Sequence, residues 1–147
     1  MARSQAAAVA SRLTLDAAQA SDLMSPNPVS LNADALVSEA IAVMTQRGFS
    51  AAPVIDEAGR PVGVLSRSDL LVHEREALRS RPAGGDMTRV RDIMTPAVFS
   101  VPPHLSADKV VEHLLTLDVH QLYVVDDSQA VIGVVTSHDV LRHLRPE

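Results

Sequence analysis

The chain contains the same unit twice. Asp22-Leu23-Met24-Ser25-Pro26 returns as Asp92-Ile93-Met94-Thr95-Pro96, Ser30 as Ser100, and Val54-Ile55-Asp56 as Val124-Val125-Asp126. Val62-Gly63-Val64-Leu65-Ser66 returns as Ile132-Gly133-Val134-Val135-Thr136, followed by Asp69 on Asp139 and Leu71 on Leu141. Each pair lies 70 positions apart, and the register holds without a gap from Asp22 to Leu71. The period exceeds the roughly 20–50 residues of solenoid repeats. Half of a 147-residue chain is also too short to bury much core alone. Duplication of a small unit, with the copies packed face to face, accounts for both facts.

Within a copy the elements read β-α-β-β-α. Pro28 to Leu31 is a short extended segment, matched by Val98 to Val101. Asp34 to Arg47 places Val37, Ala40, Ile41 and Met44 on one helical face, and Ala107, Val110, Val111 and Leu114 repeat that stripe. Asp34 and Ser106 are candidate helix starts. Ala52 to Ile55 and Leu122 to Val125 read as strands. The turns Asp56-Glu57-Ala58-Gly59 and Asp126-Asp127-Ser128-Gln129 lead into Val62 to Leu65 and Val131 to Val135, a hairpin signature that Gly59 makes clearer in the first copy. A last helix runs on from Ser66 and from Thr136. The expected fold class is therefore α/β (α+β): two β-α-β-β-α repeats packed about a pseudo-two-fold axis. The expected boundaries are an N-terminal Ala-rich helix or tail over 1–20, repeats over 21–79 and 90–147, and a charged, Gly- and Pro-containing linker over 80–89.

Composition narrows the function. With 46% hydrophobic and 21% charged residues the chain is globular, not disordered. A net charge of −5 and aromatics limited to Phe49, Phe99 and Tyr123 argue against a nucleic-acid partner held by field or by base stacking. The absence of cysteine excludes disulfides, thiolate metal sites and a Cys nucleophile, and fits a cytoplasmic setting. No apolar run approaches the roughly 18 residues of a membrane span. MARSQAAAVASRL is faintly like an organelle transit peptide, but its apolar run is too short for a secretory signal. Five histidines fall in the second half, with no HxxxH pair on one expected helix, so no metal is expected. There is no Walker A, GxGxxG or GxSxG motif and no evident carboxylate pair, and the chain reads as a non-enzyme.

The chemistry gathers at Ser66-Arg67-Ser68-Asp69 and Thr136-Ser137-His138-Asp139. A hydroxyl followed three residues later by an acid, where a strand meets a helix, is a capping box. The same place can serve a ligand: free N–H groups of a helix start attract phosphate, and a carboxylate can accept both hydroxyls of a ribose. Gly63 and Gly133 leave room for close approach or for strand packing.

Together, D-[LI]-M-[ST]-P opening each copy, V-[IV]-D before the turn and G-V-[LV]-[ST]-x-x-D closing it resemble a tandem pair of CBS domains, a Bateman module, from about Ser21 to Leu144. The resemblance implies two clefts that bind adenosine compounds as regulatory ligands (AMP, ADP, ATP or S-adenosylmethionine), with no cofactor. It also implies a homodimer that signals to a separate effector protein. Carried over, Asp69 and Asp139 resemble the ribose-binding acids, and Ser66 and Thr136 the hydroxyls near phosphate. Ser50, Ala51, Ala52 and Pro53 resemble the backbone stretch beside adenine, with Val29, Ser30 and Leu31 as another wall. His120, Gln121, Leu122 and Tyr123 are their second-copy counterparts, and there the larger Leu122 and Tyr123 imply an altered pocket. Arg67, Arg89, Arg91 and His138 are candidate phosphate contacts. Met24 and Met94 are expected to plug the base of each unit. The alternative is a ligand-free interaction scaffold in which both motifs act only as caps.

Overall fold

The computed structural model describes residues 12–79 and 85–147. The first repeat contributes strand β3 (Leu31–Asn32), helix α2 (Val37–Arg47), strands β4 (Ala51–Ile55) and β5 (Pro61–Ser66), and helix α3 (Arg67–Arg79). The second contributes β6 (Ser100–Val101), α5 (Ala107–Leu117), β7 (Gln121–Val125), β8 (Val131–Thr136) and α6 (Ser137–Arg142). A helical turn precedes each set: α1 (Ala20–Leu23) with strand β2 (Ser25–Pro26), and α4 (Val90–Ile93). The order β-α-β-β-α is thus realised twice, in sheets β3-β4-β5 and β2-β8-β7-β6. In each, the first strand pairs parallel to the second and the last two form a hairpin, Ala51–Ile55 on Pro61–Ser66 and Gln121–Val125 on Val131–Thr136.

The apolar stripes face inward as the spacing requires. Val37, Ala40 and Met44 are buried along α2, and Ala107, Val110 and Leu114 along α5. Ser106 caps α5, its Oγ accepting from the Lys109 N–H at 3.4 Å. Asp34 does not cap α2. The cap position falls to Leu36, and Asp34 pairs instead with the Arg91 guanidinium while its carbonyl accepts from Arg89. Each hairpin turn is closed by an aspartate: Asp56 Oδ1 accepts from the N–H groups of Ala58 and Arg60, and Asp126 Oδ1 from those of Ser128 and Ala130. Hydrogen bonding holds both carboxyls below their ordinary value, led by the Arg60 N–H for Asp56 and, for Asp126, by the Ser128 hydroxyl that donates to Oδ1 at 2.6 Å. With the turn fixed in this way, Gln129 occupies the left-handed φ of 68° that Gly59 takes at 80°.

The opening motif of each repeat does not pack on its own repeat. Leu23, with Ala20, lies in the core of the second repeat beside Val110, Leu122, Val124 and Val135. Val90, with Ile93 and Met94, lies in the core of the first, beside Ala40, Ala52, Val54 and Leu65. Hydrogen bonds follow the exchange: Ala20 N–H to Leu105 C=O at 2.8 Å answers Val90 N–H to Ala35 C=O at 2.9 Å. Likewise β2 adds to β8 antiparallel, and Thr95 exchanges two 2.9 Å bonds with Val64. This reciprocity is what a pseudo-two-fold axis produces.

The G-V-[LV] pattern shared by β5 and β8 follows from that exchange. A Cβ on Gly63 would stand 2.6 Å from Met94 Sδ and 2.7 Å from the Thr95 carbonyl, and one on Gly133 would strike Met24, whose Cγ is 2.9 Å away. The glycines therefore make room for a methionine of the opposite repeat, not for a ligand. Met24 and Met94 plug the opposite unit, which corrects the expectation that each closes its own.

The expected N-terminal helix or tail falls largely on residues 1–11, outside the described residues. Leu13–Leu15 is strand β1, paired antiparallel with β9 (Leu144–Pro146). Of the 80–89 linker, residues 85–89 are described. Asp86 there bonds Thr88, and His73 of α3 at 2.6 Å; these bonds, led by the Thr88 hydroxyl, draw its carboxyl down to about 2.

Candidate functional site

Strand periodicity decides which side chains can meet between the two sheets. In β4, Ala52 and Val54 point into the first core, so Ala51 and Pro53 take the other face. In β7, Leu122 and Val124 point into the second core, so Gln121 and Tyr123 take the other face. These outward faces approach each other along the exchange axis. There they enclose a cleft of about 510 Å³.

The first repeat gives this cleft Val29, Phe49, Ser50, Ala51 and Pro53, and Ser25 and Asn27 from its exchanged segment. The second repeat closes it with Gln121, Val134 and Thr136. Sequence reading grouped the Ser50–Pro53 wall with Ser66 and Asp69 of its own copy. In the structure Ser66 pairs with Ala51 along the hairpin, and the cleft brings Thr136 of the other copy to the same wall. Walls of small and apolar residues with hydroxyls and amides at the edges suit a flat heterocycle bearing a polar tail.

Both closing motifs form the capping box. Asp69 Oδ2 accepts from Ser66 N–H at 2.9 Å and from Ser66 Oγ at 3.0 Å, and Ser66 Oγ accepts from Asp69 N–H at 3.2 Å. Asp139 Oδ2 accepts from Thr136 N–H at 2.8 Å and from Thr136 Oγ1 at 2.9 Å, with Thr136 Oγ1 accepting at 3.2 Å in return. One carboxylate oxygen is thus committed to the cap in each copy. The second oxygen differs: Asp69 Oδ1 accepts from Thr95 Oγ1 at 3.3 Å, whereas Asp139 Oδ1 is paired with Arg142. Asp139 is 3% exposed, and Asp69 is only half-buried.

Comparison with known proteins fits this architecture. The CBS domain family matches residues 20–76 and again 90–146. The chain belongs to the CBS domain family. Human 5'-AMP-activated protein kinase subunit gamma-3 is 33% identical over 107 residues, which cover 71% of this chain and 22% of that protein. The chain therefore spans about a fifth of that relative's length. Among solved structures, CBSX2 in complex with AMP is 28% identical with a TM-score of 0.71, covering 85% of this chain and 94% of that one. The cytosolic domain of the Mg2+ channel MgtE in complex with ATP is 31% identical with a TM-score of 0.69, covering 85% and 48%.

Within this CBS pair the remaining candidates separate. Ala52 and Leu122 are each 1% exposed with side chains in the cores, so only their backbone can border a cleft. Ser30 Oγ donates to the Pro28 carbonyl at 3.3 Å and is not among the residues lining the cleft. His120 is exposed, and its carbonyl accepts from the Ser137 N–H at 2.9 Å. His138 is exposed one position before Asp139. Arg67 reaches the rim of the cleft, its Nε donating to the Phe49 carbonyl at 3.2 Å. Arg89 and Arg91 do not reach it, being held by Asp34. Sequence reading missed Ser25, Asn27 and Phe49 as cleft residues. The first two belong to the exchanged segment, whose destination no local pattern reveals.

Proposed function

We propose that this CBS pair is a regulatory module that binds an adenosine-containing ligand in the cleft between its repeats and does not transform it. The observation that carries the reading is the composite cleft itself, since a ligand seated there touches both halves at once. Pro53, Val29 and Ala51 form the apolar walls for the base, Thr136 and Ser50 supply hydroxyls for the tail, and Asp139 is the acid placed for a ribose. To reach Asp139, a diol has to displace Arg142 from Oδ1, and that exchange joins binding to a change in α6. The AMP and ATP bound by the two structural neighbours support the ligand class. At the other closing motif, Ser66 and Asp69 play the corresponding parts beside Thr95.

Regulation then follows from linkage: the ligand favours one relative packing of the repeats by as much as its affinities for the two packings differ. The output passes to a separate effector protein. Exposed Leu71 and Leu141, each 63% accessible at equivalent positions of α3 and α6, support a homodimer formed through these helices. Among the described residues no helix is long and apolar enough to cross a membrane. We take the setting to be cytoplasmic.

The test is a thermal-shift series with AMP, ADP, ATP and S-adenosylmethionine on the wild type, Thr136→Val, Asp69→Ala and Asp139→Ala. A ligand at a hundred times its dissociation constant stabilises by about 2.7 kcal/mol. The expected result is stabilisation by at least one ligand that Thr136→Val and Asp139→Ala abolish. A flat response to all four ligands, with both Asp variants melting early, would sink this reading. It would favour the scaffold alternative, which the completed capping boxes support.

A further inference from the structure

The two repeats end in different ways. In the first, α3 runs for 13 residues and buries none of them. Leu70, His73 and Ala77 form its inner, half-buried face. Leu71, Arg75 and Leu78 fall at helical spacing on the opposite face, with Val72 beside them. Leu71, Val72 and Leu78 are 63%, 55% and 68% exposed, so this stripe meets solvent. In the second repeat, α6 stops after six residues and β9 turns back to pair with β1. That leaves a groove of about 660 Å³, walled by Leu13 and Leu15 of β1, Val111 of α5, Val140 of α6 and Leu144 of β9. Among the described residues, Asp108 is the one charge that lines it. Leu115, one turn beyond Val111, and Leu141, next to Val140, are 76% and 63% exposed and carry the apolar surface past the groove.

We propose that this groove receives α3 of a second copy of the chain, so that the homodimer forms head to tail, first repeat on second repeat twice over. The proposal rests on the homodimer read above, fixes its arrangement and involves no ligand. An amphipathic helix laid in an apolar groove is a recurrent mode of recognition. The charges agree with it: Arg75, between Leu71 and Leu78, meets the lone Asp108. A two-fold axis repeats the contact, so both stripes and both grooves are covered at once. Packing α3 on α3 of the partner would instead set Arg75 against its own copy and leave both grooves open.

The chain has no cysteine, so introduced thiols report without background. Leu71→Cys and Val111→Cys chains are co-expressed, treated with a short bis-maleimide and compared with each variant alone, all without nucleotide. Sedimentation of the wild type is expected to give a dimer, and the mixture a cross-linked pair that neither variant forms by itself. The double variant Leu71→Asp with Leu78→Asp is expected to sediment as a monomer, with a melt that shows it folded. Arg75→Glu is expected to weaken the dimer about tenfold, and adding Asp108→Arg to recover most of the loss. A dimer in which Leu71→Cys links to itself, or does not link to Val111→Cys, overturns the arrangement and leaves the homodimer standing. A thiol at position 111 that reacts only once residues 1–11 are removed overturns it too. A wild type that sediments as a monomer defeats both readings.

Discussion

Asp69 and Asp139 close the same box of hydrogen bonds and then part company. Asp69 turns its second oxygen to Thr95 of the opposite repeat, stays half-buried, and heads a helix of 13 residues that buries none of them. Asp139 is sealed under Arg142 of its own helix, which ends after six residues and gives way to strand β9. The box is local chemistry and survives duplication unchanged. Everything beyond the first oxygen depends on what the tertiary fold brings alongside, and there the copies have diverged. The glycine seats differ in the same way: the atoms nearest a Cβ on Gly63 include the Thr95 carbonyl, whereas the three nearest one on Gly133 all belong to Met24.

The exchange of opening segments is the strongest point at which to break the comparison. Leu23→Ala is expected to cost about 3 kcal/mol, as a fully buried leucine does. Although Leu23 belongs to the first repeat, hydrogen exchange should show the loss of protection in β7 and β8 rather than in β4 and β5. Ile93→Ala should do the reverse and cost less, because Ile93 is only partly buried. Loss of protection in the repeat that carries the mutation would refute the exchange.

Next in size are the glycine seats. Gly63→Ala is expected to destabilise by about 2–3 kcal/mol, since the Thr95 carbonyl cannot step aside without breaking its bond to Val64. Gly133→Ala should cost about 1 kcal/mol, because Met24 has rotatable bonds with which to yield. Urea melts order the two. The Gly133→Ala penalty should shrink when Met24→Ala is added, as coupled neighbours require.

The smallest effect separates the two acids. Asp139→Asn removes a buried acceptor from both its cap and Arg142, for about 1–2 kcal/mol, while Asp69→Asn should cost about 1 kcal/mol or less. Equal losses in denaturant melts would mean that Arg142 adds nothing at Asp139.

Much of this protein could be read in one dimension. The helical stripes, the Asp-closed hairpins and the capping boxes all depend on residues within a few positions of one another, so their order and register follow from local spacing. Asp34 marks the limit of such reading. As a helix-cap residue type it fits, but Arg91, distant in sequence, takes its carboxylate. The cleft shows the limit more fully. Its Ser50–Pro53 wall and Thr136 were both recognisable, but that they line one cleft was not, because nothing in Asp-Leu-Met-Ser-Pro says on which repeat it will pack.

The sequence by itself determined that there are two alike units, that each presents a strand-to-helix hydroxyl–acid pair, and that the glycines before those pairs need space. Tertiary structure alone decided what fills that space and which wall faces which hydroxyl. It also decided that Tyr123 lies buried, with Gln121 Nε2 bonded to its hydroxyl. The physical reason is that hydrogen bonds of a cap or turn close over three or four residues, whereas the exchange is settled by burying Leu23 and Val90 in cores built mainly from residues far along the chain.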